Sequence, residues 1–236
     1  MENKSFSSFE FKSGLLSDLS DNKFPTKLYA FNDGDTFEAK LGSTYFVFQF
    51  EGFTGLFLNN CKNYYDLGDN HYACLIEGML KFHGKAIVIE RVNSYGIFSL
   101  GGPIEENGRL KYIDGCTDSL LVPPVRFGDA CLNALFFPPN INQTQHTHPS
   151  MRVGLIVSGR GECITPEGNI DLIPGQIFII HEDGLHSFRT FEDSAMVVIA
   201  YHPDSNFGPK DEEHPMINRT MVNGVSASEL GEIQTK

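Results

Sequence analysis

The sequence predicts an all-β protein, and three observations carry the prediction. Twenty Phe and eight Tyr with no Trp give an aromatic-rich composition that favours strands over helices. Short apolar runs follow one another closely, separated by Gly, Asn or Asp. The amphipathic helices that parallel crossover connections require are missing from the pattern. At 236 residues the chain suffices for one large β domain or two small barrels, and should bury roughly 70% of its unfolded surface.

Residues 1–26 are rich in Ser, Lys and Asp, with a short helical possibility around Leu15 to Leu19, and read as an N-terminal arm. Strand-like runs then occupy Lys27 to Phe31, Tyr45 to Phe50, Gly55 to Leu58, Tyr72 to Ile76, Met79 to Phe82, Ala86 to Glu90 and Gly96 to Leu100. Gly101 to Gly108 is dense in turn formers and has no apolar period, so a first β unit is expected over residues 27–108. A second series, over residues 109–201, comprises Leu132 to Phe137, Gln143 to His148, Val153 to Val157, Glu162 to Thr165, Ile177 to Ile180, His186 to Thr190 and Met196 to Ala200. Ser158 to Gly161 and Pro166 to Asn169 have hairpin-turn chemistry and so favour antiparallel pairing. Residues 202–236 are irregular apart from a short helix expected over Ala227 to Ile233, and read as a C-terminal arm or lid. The acidic run Lys210 to Glu213 reads as a solvated turn.

A net charge of −12 and a pI near 5.0 argue against nucleic acid or an anionic membrane surface as partner, since both require a basic patch. Cys61, Cys74, Cys116, Cys131 and Cys163 are an odd set with no C-x-x-C pair, which fits a reducing compartment better than a disulfide framework. No basic region leads into an apolar stretch at the N-terminus, and the richest apolar stretch, Tyr45 to Leu58, is interrupted by Gln49 and Glu51 and is too short to span a bilayer. The expected location is the cytoplasm.

The chemistry concentrates in Gln143-Thr-Gln-His-Thr-His-Pro-Ser-Met-Arg-Val-Gly154 and, further on, His186. On a strand, His146 and His148 share one face, and His186 opens a separate strand-like run that a fold could bring beside them. Three imidazoles suffice for iron, zinc or a similar divalent ion while leaving positions open for a ligand. The bland alternative is three ordinary strand histidines.

These residues resemble the cupin superfamily, whose jelly-roll barrels carry two short motifs around a metal. In the first motif, His146 and His148 match, Gly159 closes the motif at the expected distance, and Asn140 stands at the opening Gly. In the second, Gly175 and His186 match, while His181 replaces a Pro, Asp183 a Gly and Thr190 an Asn. The resemblance is specific over about residues 128–201 and architectural over 27–100. It implies two barrels in tandem: a degenerate one over 27–108 without a metal site, where His71, His83, Glu77 and Glu90 form no ligand set, and a metal-binding one over 109–201.

One departure matters most. Arg152 stands where the family has a Glu ligand, and a guanidinium offers donors only. A three-histidine site then remains, similar to that of thiol and diketone dioxygenases of the superfamily, and it favours anionic or thiolate co-ligands. Arg152 either clamps a substrate carboxylate or pairs with Glu162 or Glu182. His181 is either an acid–base group at the mouth or a solvated turn histidine. Gln143 and Thr144 are candidates to orient a ligand, Thr144 the better of the two. Phe136, Leu155, Val157, Phe178, Ile180 and Phe188 are expected to line the interior. Tyr201, His202 and His214 could close it from the tail, or simply lie at the surface.

The reading that results is a non-haem Fe(II) dioxygenase of a small carboxylated organic substrate. Its alternatives are a Zn²⁺- or Mn²⁺-dependent isomerase, lyase or hydrolase with His181 or Glu182 moving protons, and a non-catalytic ligand-binding cupin. The resemblance also implies a homodimer, since open jelly rolls expose sheet edges.

Overall fold

The computed structural model of the chain describes residues 4–58, 62–205, 221–226 and 229–231. Met1–Ser205 form one compact unit and Asn206–Lys236 a second. In the second unit Met221–Val222 pairs with Val225–Ser226. Cys61, the run 210–213, His214 and most of the helix expected over 227–233 lie outside the described residues.

The first unit is built of antiparallel sheets. An eight-stranded sheet runs in the order Gly14–Leu19, Thr26–Phe31, Gly78–Val92, Ser43–Leu58, Tyr72–Leu75, Ser99–Gly101, with Thr36–Ala39 added to Gly78–Val92 and Asn63–Leu67 to Ser43–Leu58. The paired runs expected over 45–58 and 79–90 are each a single long strand, of 16 and 15 residues. The glycines between those runs are close-approach positions inside a ladder. A Cβ on Gly52 would lie 2.1 Å from the His83 carbonyl oxygen, and one on Gly84 1.9 Å from that of Glu51. A bulge between Gln49 and Glu51 absorbs the irregularity, and buried Gln49 satisfies it by donating from Nε2 to the Glu51 carbonyl at 2.7 Å.

A seven-stranded sheet runs Phe6–Phe9, Ile177–Ile180, Arg152–Gly159, Met196–His202, Cys131–Phe137, Thr117–Val122, Leu110–Lys111. A three-stranded sheet, Gly168–Leu172, Gly161–Thr165, Ser187–Thr190, belongs to the same half. The N-terminal arm is thus strand in both its parts. Phe6–Phe9 extends the seven-stranded sheet, and Gly14–Leu19, where a helical turn was expected, extends the eight-stranded one. Pro166 to Asn169 closes a hairpin, as its chemistry suggested. Ser158 to Gly161 does not: it carries the chain from the seven-stranded sheet to the three-stranded one, with Gly159 at φ +73° and no room for a Cβ beside the Ala195 carbonyl.

Cys131–Phe137 is buried on both faces, which explains its unbroken apolar run. Leu132, Ala134 and Phe136 face a core shared with Leu28, Phe46 and Ile89 of the eight-stranded sheet. Leu135 and Phe137 face the opposite way, into a second core with Ile156, Phe178 and Phe188. That second face carries the candidate site. A third core, within the N-terminal half, is filled by aromatic rings such as Phe31 stacked on Phe82 at 4.4 Å.

Candidate metal centre

Gln143 to His148, expected as a strand, is a loop flanked and held by two isolated bridges, Asn142 with Arg189 just before it and His146 with His186 within it. The second bridge gathers the site. His146 N donates to the His186 carbonyl at 2.9 Å, and His186 N to the His146 carbonyl at 3.0 Å. The bridge places the two rings 4.6 Å apart, and His148 completes the group at 5.0 and 5.2 Å from them. One ring nitrogen from each of the three lies within 4.8 Å of the others. It is the one such cluster of three His, Cys, Asp or Glu among the described residues.

The tautomers suit metal ligation. His146 Nδ1 lies 2.8 Å from the Thr144 carbonyl and His186 Nδ1 2.9 Å from the Gly184 carbonyl. A carbonyl only accepts, so both Nδ1 atoms carry the proton and both Nε2 atoms present a lone pair. Thr144 fixes the His146 ring through its backbone oxygen. Burial pushes the pKa of His148 down to about 3, helped by Arg152, His186 and His146. Burial likewise lowers His186, to about 4, against the opposing bond to Gly184. Both are neutral near pH 7, the form that ligates.

Arg152 lines the same cavity, with little of its side chain exposed. Its partner is Asp204, at 3.4 Å, and neither of the glutamates considered from sequence. Glu162 instead pairs with Arg189. Every hydrogen bond of Arg152 runs through Nη1, to the Ser150 hydroxyl, the Ser150 and Met151 carbonyls at 3.1 and 3.0 Å, and Asp204. Its Nε is buried and unpartnered. Arg152 thus keeps an uncommitted donor, with no acceptor among the described residues, while lining the cavity with the three imidazoles, and a carboxylate is the complement of a guanidinium edge.

The cavity has a volume of about 30 Å³. Its polar wall comprises the three histidines, Arg152, Tyr112 and His202, and its apolar wall Leu135, Val153, Phe178, Ile180, Phe188, Val198 and Ala200. Among the described residues no carboxylate lines it. Of the six interior residues expected from sequence, Phe178, Ile180 and Phe188 are there, whereas Phe136, Leu155 and Val157 point into the core shared with the eight-stranded sheet. His202, for which both a place closing the cavity and a surface position were open, lines it; it follows Val198 and Ala200 at strand spacing on one face, and that period marks it. Tyr112 has no such signal. The turn Ile113–Gly115 brings it in, tied down by Asp114, whose carboxylate accepts from Thr144 N at 2.8 Å.

His181 stands apart from the cavity lining. Its Nε2 is 2.8 Å from the Ser7 hydroxyl and its backbone N donates to the Ser5 carbonyl at 3.0 Å. Burial and Lys4 lower its pKa. Gln143 is buried and structural, its Oε1 accepting from Phe188 N at 3.3 Å.

The motif departures have backbone explanations. Gly159 and Gly175 have φ of +73° and +86°, and Asn140 and Asp183, standing at the other two glycine positions, have +63° and +55°. Asn and Asp are the side chains that best tolerate this region. Thr190, at the Asn position, accepts from Ile141 N at 2.9 Å and donates to the Pro138 carbonyl at 2.5 Å, pinning the start of the histidine loop.

No family model and no curated protein matches the chain. Solved structures do. Protein Ylba from E. coli superposes with a TM-score of 0.61 at 15% identity, covering 87% of this chain and 85% of that one. A Cupin 2 conserved barrel domain protein from Leptotrichia buccalis gives 0.55 at 12%, over 85% and 90%. Salicylate 1,2-dioxygenase from Pseudaminobacter salicylatoxidans gives 0.62 at 9%, over 86% and 85%. At such identities the shared feature is the architecture: the chain has the cupin-type jelly-roll fold, with three histidines gathered at its interior.

Proposed function

We propose that the protein is a cupin metalloenzyme, a non-haem Fe(II) dioxygenase acting on a small carboxylated organic substrate. The observation that carries this reading is the make-up of the cavity: three imidazoles and Arg152 converge there, and among the described residues no carboxylate lines it. His146, His148 and His186 would hold the ion, and Arg152 would hold the substrate carboxylate through its unpartnered Nε edge. Bound iron supplies the redox chemistry that O₂ activation requires. The apolar wall of Leu135, Ile180 and Val198 excludes water from the reacting groups. His202 and Tyr112 are the remaining polar groups facing the ligand, whereas His181 is held by Ser7 outside the cavity lining. A structural neighbour is a salicylate 1,2-dioxygenase, which supports the reaction class by fold analogy alone.

The buried free thiols of Cys74, Cys116, Cys131 and Cys163 support a reducing, cytoplasmic setting. Pairing through sheet edges into a homodimer is part of the same reading, and light scattering that gives a monomer mass at micromolar protein would remove it.

The deciding experiment is metal analysis of anaerobically purified protein beside His148→Ala, with O₂ consumption followed on adding small thiols, diketones and carboxylates. Near-stoichiometric iron that disappears in the variant, with substrate-triggered O₂ uptake, is the expected result. Zinc or manganese without O₂ uptake would replace this reading with Lewis-acid chemistry, and absence of any metal would leave a ligand-binding module.

A further inference from the structure

The cavity beside the histidines is too small for an aromatic ring, and Phe178 is one of the side chains that wall it. Its 30 Å³ is room for about two waters, at roughly 10–15 Å³ each, whereas a cavity that admits benzene is on the order of 150 Å³. An ion at the histidines would take part of that space.

Phe178 fills the volume that a larger ligand would need. It is 2% exposed and lies directly across the ladder from Gly154. Its ring rests on that glycine: a Cβ at 154 would be 2.1 Å from Cζ and 2.5 Å from both Cε atoms. Phe6 stacks on one side of it at 5.2 Å, and Phe188 packs at 6.0 Å. Phe188 in turn touches the ring of His186 at 5.7 Å. The ring is held between neighbours that are themselves buried, so swinging it aside would disturb a packed core.

We infer that the site is built for a very short anion, no larger than acetate, and that Phe178 seated on Gly154 is the specificity-determining pair that excludes aromatic acids. The anion preference rests on the proposed function, through Arg152 and the metal; the size limit rests on packing alone. It separates this chain from the salicylate 1,2-dioxygenase whose solved complexes include gentisate, an aromatic acid.

The test uses cobalt(II)-loaded protein, whose visible absorption reports anions entering the metal site, titrated with acetate, benzoate and gentisate. The expected result for the wild type is that acetate binds at least about tenfold more tightly than the two aromatic acids, the discrimination a tight apolar wall can supply. Phe178→Ala should narrow that ratio by about tenfold or more, and Phe178→Leu, a milder truncation that keeps the core filled, should narrow it part of the way. Benzoate or gentisate binding the wild type as tightly as acetate would overturn the inference, as would a Phe178→Ala protein that stays folded and discriminates unchanged. If cobalt gives no spectrum, the three-histidine reading fails on its own. Calorimetric titration of the metal-free protein with the same three anions then reads the size limit by the same ratios.

Discussion

His146 and His186 are joined by both of their backbone groups, 2.9 Å in one direction and 3.0 Å in the other, forty residues apart in sequence yet an isolated bridge outside any strand. The bridge uses main-chain atoms alone. Removing either imidazole therefore leaves the frame of the site in place, and the site can be dissected by mutation without dismantling the fold.

His186→Ala should keep the β-rich circular dichroism of the wild type while losing metal by more than the 10- to 100-fold that deletion of an outer-sphere partner costs. Equilibrium dialysis against zinc or iron measures it. Unchanged affinity would mean that the three rings converge for structural reasons.

The metal-free protein should lose stability on acidification in a defined window. Folding lowers the His186 pKa from 6.5 to about 4, so the folded state favours the neutral ring and the unfolded chain binds the proton more readily. The resulting stability is complete above pH 6.5 and is lost as pH falls through 6.5 towards 4. With His186 1% exposed, the shift corresponds to roughly 3 kcal/mol. Urea melts of metal-free wild type and His186→Ala at a series of pH values should show a shallower acid slope in the variant.

The fold class and most strands were legible because one-sided and two-sided burial both leave period-2 or continuous apolar runs, as in Ile177–Ile180 and Met196–His202. Two kinds of feature were not. Gly52 and Gly84 read as turn formers, but they serve a close backbone crossing, and composition cannot distinguish the two uses. The histidine loop is ordered by bonds from remote segments, Asp114 and Thr190 among them, that no local pattern announces. The spacing of His146, His148 and His186 was sufficient to find the cluster; Tyr112 and the Asp204 partner of Arg152 required tertiary structure. Replacement of a motif Pro by His181 has a use of its own, since it supplies the N–H that binds the Ser5 carbonyl and starts the N-terminal strand pairing.

Arg152→Lys should leave metal content unchanged and weaken acetate binding to the metal-loaded protein by about tenfold or more, because an ammonium cannot reproduce the planar donor edge. The cobalt absorption titration reads both quantities. Equal affinity in wild type and variant would show that Asp204 and Ser150 are the whole purpose of the arginine.

Asp118 is 4% exposed, and both its oxygens accept from Asn133 Nδ2, at 2.9 and 2.7 Å. Burial raises its pKa above 3.8 against that hydrogen bond. The folded state thus favours the protonated acid, and the associated stability is present below pH 3.8 and lost as pH rises through the raised value. Asp118→Asn, uncharged throughout, should be at least as stable as the wild type above that window, by thermal melts across pH. A uniform loss at every pH would show that the carboxylate is needed for its hydrogen bonds whatever its charge.

Gly154→Ala tests the packing that limits the cavity. The strand around Gly154 is regular, and the residue pairs with Phe178 on one side and Ala200 on the other. Backbone strain is therefore not at issue. The added methyl would lie 2.1 Å from Phe178 Cζ, a distance no packed core tolerates, so the ring must move. Phe6 and Phe188 oppose that movement. The expected cost is that of overpacking, about 1–3 kcal/mol, seen as a lower urea midpoint with unchanged slope. The ring lines the cavity, so the same variant should also lose acetate affinity at the cobalt site. Full stability together with full affinity would mean that the Phe178 ring is free to relocate, and the size limit would then have no physical basis.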